Sequence, residues 1–271
     1  MTTDTGAQLR SLYEPEGGVT QIFSAKVTDY VASRPDYPAA LFEALRVQCH
    51  LQPGATVVDV GAGTGLLTKG LLERGYEVWA IEPNAAMRRA ANQDLARWPA
   101  YRSAAGSAES LPLVDASVDL ITAAQAFHWF DVERARCEFL RVLRPQGQVA
   151  LIWNDRLASD PLHLALGEIL DQYGGSRRDA LLKHEERGDL PGFFGACLPA
   201  ELSWPHEHWL NEEGLLSLAF SRSYMPERDS APGQQAGRQL RQLFRRFASD
   251  GRLVVRYKTV ATIGRPSSAS E

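Results

Sequence analysis

Two patterns of hydrophobic and polar residues alternate through the middle of the chain. Between residues 55 and 155, short apolar runs are separated by segments in which apolar residues recur every three or four positions. The first pattern is typical of strands buried on both faces, and the second of amphipathic helices. Strands that alternate with helices form a parallel sheet covered on both faces, so we predict a doubly wound α/β domain. The five predicted strands lie at residues 56–60, 77–81, 101–105, 118–122 and 148–153.

Residues that begin and end helices support this alternation. Asn84 and Asp131 each stand just before an apolar periodic segment, which is the position of an N-cap. Gly75 follows the first helical segment, where a glycine commonly ends a helix. A turn is predicted at residues 144–147, just before the fifth strand.

The remaining segments differ from this core. Residues 156–250 are predicted to be mostly helical, with one strand-like stretch at 201–209. We predict a single domain over residues 21–263 between a flexible lead at 1–20 and a frayed tail at 264–271. Its parts are an aromatic N-terminal lid at 21–50, a core at 55–155, a helical insertion and cap at 156–250 and a closing strand at 251–263.

Composition and charge exclude several classes of protein. The 271 residues carry a formal net charge of −4, whereas binding to nucleic acid phosphates needs clustered excess Lys and Arg. The three cysteines lack the spacing of a zinc site or a disulfide framework. The apolar stretch at 120–130 is too short to span a bilayer, and the N-terminus lacks the apolar core of a secretory signal. We therefore expect a cytoplasmic protein that binds neither nucleic acid nor membrane.

One basic segment departs from this acidic balance. Residues 234–258 hold seven Arg or Lys residues and one acid. Within this segment Leu240, Leu243, Phe244 and Phe247 repeat at helical spacing, which predicts an amphipathic helix packed on a core. Its solvated face would carry Arg238, Arg241 and Arg245.

A glycine-rich turn joins the first predicted strand to the first helix. Gly61, Gly63 and Gly65 allow a tight turn there, and the amides at the following helix N-terminus attract oxygen-rich or anionic groups. The spacing Gly-x-Gly-x-Gly differs from the Gly-x-Gly-x-x-Gly of dinucleotide-binding folds. An acid, Asp59, precedes the first glycine by two positions. The turn therefore predicts a ligand site at this end of the strand.

A second acid, Glu82, follows the second predicted strand, 17 residues beyond Gly65. A carboxylate at the carboxyl end of that strand can accept hydrogen bonds from both hydroxyls of a ribose. The same negative charge disfavours a ribose 2′-phosphate. The alternative is that Glu82 only interacts with the dipole of the helix that follows.

With these residues, the sequence resembles the class I S-adenosylmethionine-dependent methyltransferases, in a branch similar to the ubiquinone-biosynthesis and trans-aconitate methyltransferases. The similarity is strong over about residues 22–155 and weak beyond them. It departs from the family at Gln146, where glycine is more common. The other segments that carry it are Phe23-Ser24, Tyr30, 34–38, 106–113, 117–120, 125–130, 141–147 and 151–154.

This resemblance implies a Rossmann-like three-layer sandwich with seven mostly parallel strands, of which the last is antiparallel. It also implies S-adenosylmethionine as the cofactor, S-adenosylhomocysteine as the product, and no metal. The glycine turn would line the methionine and ribose, with Asp59 near the amino group, Glu82 on the ribose hydroxyls and Arg34 toward the carboxylate. The implied cofactor residues are Tyr30, Arg34, Asp59, Gly61, Ala62, Gly63, Thr64, Gly65, Glu82, Pro83, Met87, Ala108, Glu109, Gln125 and Ala126.

The residues that would handle the methyl acceptor are less clearly marked. His128 follows the fourth strand, where an imidazole can act as a general base or position the acceptor; the alternative is a packing role among neighbouring aromatics. Arg156 suits either an anionic acceptor or a surface ion pair. His206 and His208 alternate without acids at ligand spacing, so no metal site is expected. The candidate acceptor-binding residues are Trp129, Asn154, Arg156 and Tyr224.

Three functions are compatible with these residues. The first is a methyltransferase, monomeric or homodimeric, that moves a methyl group to an oxygen, nitrogen or carbon atom of a small organic molecule. The second is a cofactor-binding regulator that uses the same fold without catalysis. A nicotinamide-dependent oxidoreductase is a third, which the glycine spacing disfavours.

Overall fold

Seven strands form one sheet in the computed structural model, which describes residues 11–16, 18–185 and 187–267. The spatial order is β3-β2-β1-β4-β5-β7-β6. β1 to β5 pair in parallel, and β7 runs antiparallel to both of its neighbours. The predicted seven-stranded, mostly parallel sheet with an antiparallel last strand is confirmed. The strands are β1 (Thr56–Val60), β2 (Glu77–Ile81), β3 (Tyr101–Ala104), β4 (Val118–Ala124), β5 (Leu143–Arg156), β6 (Ala200–Leu210) and β7 (Leu253–Gly264).

Helices cover both faces of the sheet and build the lid and the cap. Short 3-10 turns occur at Glu14–Glu16 and Phe127–Trp129, and the long seventh helix is kinked at Gly175. The α-helices are α1 (Val19–Ala25), α2 (Val27–Ser33), α3 (Ala39–Gln48), α4 (Leu66–Leu72), α5 (Ala85–Leu95), α6 (Val132–Val142), α7 (Pro161–Glu185), α8 (Leu190–Phe194), α9 (Glu212–Phe220) and α10 (Ala231–Phe247).

The core lies on the two faces of the sheet because successive side chains of a strand point in opposite directions. Val57 belongs to the cluster beneath α3 and α4, and its neighbour Val58 belongs to the cluster beneath α6 and α8. Both residues are fully buried. A third cluster joins α7, α9 and α10 to β6 and β7, so the segment after β5 has a hydrophobic core of its own.

The two predicted N-caps are present. The Oδ1 atom of Asn84 accepts hydrogen bonds from the amides of Ala86 and Met87, at 2.8 and 3.0 Å. Asp131 Oδ1 accepts one from the amide of Arg134 at 3.1 Å. These bonds satisfy amides that have no partner within the first turn of a helix.

The prediction of a separate turn at residues 144–147 is wrong, because these residues are part of β5. Val118 pairs with Leu143, and Leu120 pairs with Gln148, so the register shifts between the two pairs. The extra residues of β5 bulge at this point, and the strand continues on both sides.

Part of the predicted flexible lead is packed. Tyr13 is fully buried, and its ring meets the Trp129 ring edge-to-face at 5.7 Å between centroids. The Tyr13 hydroxyl lies 2.8 Å from Ser223 Oγ, so this residue bridges the core and the cap. Residues 1–10 and 17 of the lead, and residues 268–271 of the predicted frayed tail, lie outside the described residues.

The basic helix is amphipathic, as the sequence pattern indicates. On α10, Leu240, Leu243 and Phe244 are buried, and Phe247 is half-buried. The opposite face exposes Arg238, Arg241 and Arg245. No described helix has the length and apolar character needed to cross a membrane.

Candidate active site

A cavity of about 450 Å³, here the first cavity, opens at the carboxyl ends of β1, β2 and β4. This is the edge of a parallel sheet at which α/β proteins bind ligands. Phe23 and Tyr30 of the lid also line it. Of the fifteen residues predicted to contact a cofactor, ten line this cavity: Tyr30, Gly61, Gly63, Glu82, Pro83, Met87, Ala108, Glu109, Gln125 and Ala126.

The glycine turn forms one wall of the first cavity, and its backbone at Gly61 lies close to Ala126. Gly61 has a positive φ of 69°, and its amide donates to the carbonyl of Ile81 at 2.8 Å. A Cβ atom at Gly61 would lie 2.6 Å from the Cβ of Ala126, which is too close for two carbons. Both the backbone angle and the available space therefore require glycine here.

Glu82 is held rigidly at the end of β2. Its Oε2 atom accepts a hydrogen bond from the amide of Gly63 at 2.9 Å, and Oε1 accepts one from the amide of Asn84 at 2.8 Å. Glu82 is 8% exposed, and this burial raises its pKa. The hydrogen bonds from the two amides act to lower the pKa. A carboxylate has about four acceptor positions, so two remain for a ligand in the cavity.

Sequence reasoning identified Asn84 only as a helix cap, yet its side chain also ties the lid to the cavity. Ser24 Oγ lies 3.1 Å from Asn84 Nδ2, which links α1 to the start of α5. Strand ends and loops bring together the lining residues that were not predicted as cofactor contacts: Phe23, Val60, Asn84, Ser107, Ala124, Trp129, Phe130, Asp131 and Arg134. Of these, Trp129 was predicted for the acceptor instead.

Asp59 is buried beneath the glycine turn and does not line the first cavity. Its carboxylate accepts hydrogen bonds from Thr68 Oγ1 at 2.7 Å and from Thr122 Oγ1 at 3.0 Å, which join β1 to α4 and β4. Burial raises the pKa of Asp59 to about 6, although both threonine bonds act in the other direction. Its predicted contact with an amino group stays a prediction.

The other four predicted cofactor residues also lie outside the first cavity. Gly65 has a φ of 85° and would bring a Cβ atom within 2.5 Å of Leu95, so it is required for packing. Ala62 and Thr64 lie in the turn itself, and Arg34 stands on the far side of Tyr30. The Arg34 guanidinium lies 4.6 Å from the centroid of the Tyr30 ring, and its Nη2 donates to the Ser221 carbonyl at 3.3 Å.

Two further cavities adjoin the first one. The second cavity, of about 700 Å³, lies between the end of β5 and the helices of the cap. The connecting cavity, of about 130 Å³, shares Phe23, Tyr30 and Trp129 with the first cavity and four arginines with the second. Gln125 lines all three. The three cavities therefore meet at the end of β4.

Gln125 has an unusual backbone conformation at this meeting point. Its φ is 56°, a left-handed value that costs free energy in a residue other than glycine. The Gln125 amide donates to the carbonyl of Ile152 at 2.9 Å, which attaches the residue to β5. The conformation turns the chain sharply out of β4 and into the Phe127–Trp129 turn.

The candidate acceptor residues all line the adjoining cavities. His128, Trp129, Arg156 and Tyr224 line the connecting cavity, and Asn154 lines the second. Asn154 is engaged at both ends of its amide. Its Oδ1 accepts from Thr259 Oγ1 at 2.6 Å, and its Nδ2 donates to the Asp36 carbonyl at 3.2 Å. These bonds connect β5, β7 and the lid.

The two histidines of β6 contact the lid. His206 Nε2 lies 3.1 Å from Asp36 Oδ1, and the interaction with this imidazole lowers the pKa of Asp36. His208 Nε2 lies 2.8 Å from the carbonyl oxygen of Ser33 and donates to it. Over the residues that the structure describes, no group of three or more His, Cys, Asp or Glu side chains could hold a metal ion.

Comparison with known proteins identifies the family. A family pattern described as a methyltransferase domain matches residues 58–151. An uncharacterized methyltransferase of Mycobacterium tuberculosis is 37% identical over 204 residues, which cover 74% of this chain and 76% of that protein. Another, from Schizosaccharomyces pombe, is 33% identical over 176 residues, which cover 65% of this chain and 68% of that protein. The solved structure of a proposed type II methyltransferase from Anaeromyxobacter dehalogenans has a TM-score of 0.59 at 28% identity, covering 86% of this chain and 99% of that one.

These matches agree with the sheet order, the glycine turn and the carboxylate at the end of β2. The fold and site define a Rossmann-like methyltransferase. The chain belongs to the class I S-adenosylmethionine-dependent methyltransferases.

Proposed function

We propose that the protein binds S-adenosylmethionine in the first cavity and transfers its methyl group to an oxygen, nitrogen or carbon atom of a small organic molecule. The observation that carries the proposal is the Glu82 carboxylate, which two backbone amides orient toward the cavity with acceptor positions to spare. Two ribose hydroxyls are suitable donors for those positions.

The lining of the first cavity fits the other parts of this cofactor. Pro83, Met87 and Ala108 supply an apolar surface on which an adenine ring can pack. Gly61 and Gly63 line the cavity and carry no side chain, so the methionine portion can approach the backbone there. The volume of about 450 Å³ lies in the range of small-molecule sites.

The protein's contribution to the reaction is to align two molecules. When bound, the cofactor supplies a methyl group on a charged sulfur, which the acceptor displaces in line. Gln125, at the meeting point of the three cavities, and Trp129, shared by the first and connecting cavities, border both molecules. Holding the reactants in this way can provide a large share of the rate enhancement.

His128 lines the connecting cavity beside Trp129, with ring centroids 4.8 Å apart. We assign it to the acceptor, as the group that positions it or accepts its proton. His128→Gln should lower kcat at least about tenfold while the affinity for S-adenosylhomocysteine stays unchanged. An equal fold loss of kcat and of the affinity for S-adenosylhomocysteine would contradict this role.

Calorimetry with S-adenosylmethionine and S-adenosylhomocysteine tests the proposal directly. We expect both to bind in the micromolar range with one site per chain. Transfer is then followed with a radiolabelled methyl group and mixtures of small acids, amines and phenols. Absence of binding at millimolar cofactor would overturn the proposal, and binding without transfer to any acceptor would favour a regulator.

We also propose that the protein is cytoplasmic and is a monomer or a homodimer. Cell fractionation tests the location, and light scattering tests the oligomeric state.

A further inference from the structure

Charges of both signs line the second cavity. Among the described residues of its wall are five arginines and three acids, Asp155, Glu168 and Asp171. Two of the acids form ion pairs there, Asp155 with Arg187 and Asp171 with Arg178. Because acids and arginines are interspersed in this wall, net charge alone does not define a ligand, and directed hydrogen bonds must do so.

His163 lines this cavity and is held in one orientation by three contacts. It lies in the first turn of α7, where its backbone amide donates to Asp160 Oδ1 at 3.2 Å. Its Nε2 atom lies 2.6 Å from the carbonyl oxygen of Arg256 on β7. Its ring also meets the Tyr257 ring edge-to-face, at 5.7 Å between centroids. His163 is 7% exposed, so the imidazole is a fixed part of the cavity wall.

The contact with a carbonyl determines which ring nitrogen of His163 carries the proton. A carbonyl oxygen only accepts, so Nε2 donates and Nδ1 keeps its lone pair in the neutral ring. Burial lowers the pKa of His163, and the charges of Arg156 and Arg222 act in the same direction. The Arg256 carbonyl and Asp160 act to raise it. The Nδ1 atom is buried and has no hydrogen-bond partner among the described residues.

Arg34 supplies a complementary group in the same cavity. Its Nη2 donates to the Ser221 carbonyl at 3.3 Å, whereas its Nε is buried without a partner among the described residues. The wall therefore contains one acceptor, His163 Nδ1, and one donor, Arg34 Nε, and each costs free energy for as long as it lacks a partner. Hydroxyl groups and amides that carry an N–H both donate and accept, so they suit this pair of atoms.

We propose that the second cavity binds the polar end of the methyl acceptor, and that this end carries a hydroxyl or an amide N–H that donates a hydrogen bond to His163 Nδ1. This inference rests on the proposed function, because it assigns the cavities beyond Gln125 to the acceptor. Gln125 lines all three cavities, so an acceptor whose reactive atom lies there can extend through the connecting cavity into the second. His163 then distinguishes acceptors that have this donor from those that lack it, since a missing donor leaves Nδ1 without a partner.

Two pairs of neutral probes test this hydrogen bond on the full-length protein, with and without saturating S-adenosylhomocysteine. Benzyl alcohol and benzyl methyl ether share a ring and an oxygen acceptor, and only the alcohol donates. Benzamide and N,N-dimethylbenzamide form the equivalent pair for an amide. In calorimetry we expect the donating member of at least one pair to bind about fivefold or more tightly than its methylated counterpart, and that pair identifies the group. Equal affinities within both pairs would overturn the inference.

Two substitutions of His163 separate recognition of a ligand from a structural role. The amide of His163→Gln reaches the position of Nε2, so this variant keeps a donor to the Arg256 carbonyl but has no acceptor at the position of Nδ1. The shorter amide of His163→Asn reaches the position of Nδ1 and loses the bond to Arg256. We expect His163→Gln to remove the affinity difference within the preferred pair at a Tm near wild type, and His163→Asn to lower Tm and keep the difference. The reverse order would show a structural role and overturn the inference.

His208→Gln is the matched control. His208 Nε2 also lies against a carbonyl oxygen, that of Ser33 at 2.8 Å, but His208 lines none of the three cavities. This variant should keep the affinity difference between the probes, and its loss would place the effect outside the second cavity and overturn the inference.

NMR of the imidazole nitrogens tests the tautomer without any ligand. Long-range 1H–15N spectra at pH 7 should show His163 Nε2 protonated and Nδ1 unprotonated, with the signals identified by their loss in His163→Gln. A proton on Nδ1 would overturn the inference. Failure of wild-type protein to bind S-adenosylhomocysteine would overturn the proposed function, whereas the probe titrations without it still decide whether a ligand donates to His163.

Discussion

Glu82 Oε2 lies 2.9 Å from the amide nitrogen of Gly63, so the acid at the end of β2 and the glycine turn after β1 form one unit. β1 and β2 are adjacent parallel strands, and their carboxyl ends therefore meet at the same edge. The hydrogen bond fixes the carboxylate before any ligand arrives, which reduces the ordering cost of binding.

Glu82→Gln should weaken S-adenosylhomocysteine about tenfold or more, because the amide loses the negative charge and one acceptor oxygen. Isothermal titration calorimetry measures this change. Glu77→Gln, on the exposed start of the same strand, is the control and should leave affinity unchanged. An unchanged affinity in Glu82→Gln would remove the carboxylate from the cofactor site.

Gly61→Ala should destabilise the fold more than Gly54→Ala. Both glycines have positive φ, 69° and 79°, so each alanine carries a backbone strain of about 1–2 kcal/mol. Only at Gly61 does the new Cβ atom also meet Ala126, which adds about 1–3 kcal/mol. Urea unfolding measures both variants.

A second substitution tests whether this contact is the cause. Ala126→Gly removes the atom that the new Cβ would meet, so the pair Gly61→Ala and Ala126→Gly should be less destabilising than the sum of the single changes. Strict additivity would show that the close approach of Gly61 to Ala126 is not what requires glycine.

Lys26→Met should loosen the lid from the cap. The Lys26 side chain is 4% exposed, and its Nζ donates to the carbonyls of Phe220 at 3.1 Å and Met225 at 2.9 Å. Loss of these charged donors should cost about 1–3 kcal/mol and speed proteolysis near the N-terminus. Lys258→Met, at an exposed position of β7, should change neither thermal unfolding nor proteolysis.

Asp59 should make stability depend on pH. Its pKa of about 6 in the folded protein exceeds the ordinary value near 4. Between these two values the folded protein keeps a proton that the unfolded chain has lost, so the free energy of unfolding falls as pH rises through this range. The fall is about 3 kcal/mol at most, since each pH unit corresponds to about 1.4 kcal/mol.

Asp59→Asn removes the pH dependence that the Asp59 carboxyl contributes. The difference in the free energy of unfolding between the variant and wild type therefore measures this contribution. From pH 4 to pH 7 the variant should gain up to about 3 kcal/mol relative to wild type in denaturant unfolding. Asp94→Asn, on the exposed surface of α5, should follow the wild-type curve. A constant difference between Asp59→Asn and wild type would mean that Asp59 is ionised normally in the folded protein.

The local pattern of apolar residues, glycines and acids was sufficient to predict the sheet and the first cavity. The strand β1, the glycine turn, the strand β2 and the acid Glu82 follow each other within 27 residues, at 56–82. The caps Asn84 and Asp131 also act on amides two or three positions away. These features depend on backbone geometry and short separations, which the order of residues specifies directly.

The surroundings of individual side chains could not be predicted in this way. Asp59 has the motif position expected beside the cofactor, yet Thr68 and Thr122 bind both of its oxygens. Thr122 is 63 residues away, and only the pairing of β1 with β4 brings it close. Tyr13, in a stretch predicted to be flexible, is buried because Trp129 and Ser223 approach it from distant parts of the chain.

The sequence alone therefore determined the fold class and the position of the first cavity, because these follow from strand periodicity and a short spacing of glycines and acid, and its resemblance to known enzymes indicated the family. Only the tertiary structure decided which distant side chains line the adjoining cavities. Arg34, Arg156, Arg178 and Arg222 form no motif and are separated by up to 188 positions. They become neighbours because the lid, β5 and the cap converge on the carboxyl edge of the sheet, where all four line the connecting cavity.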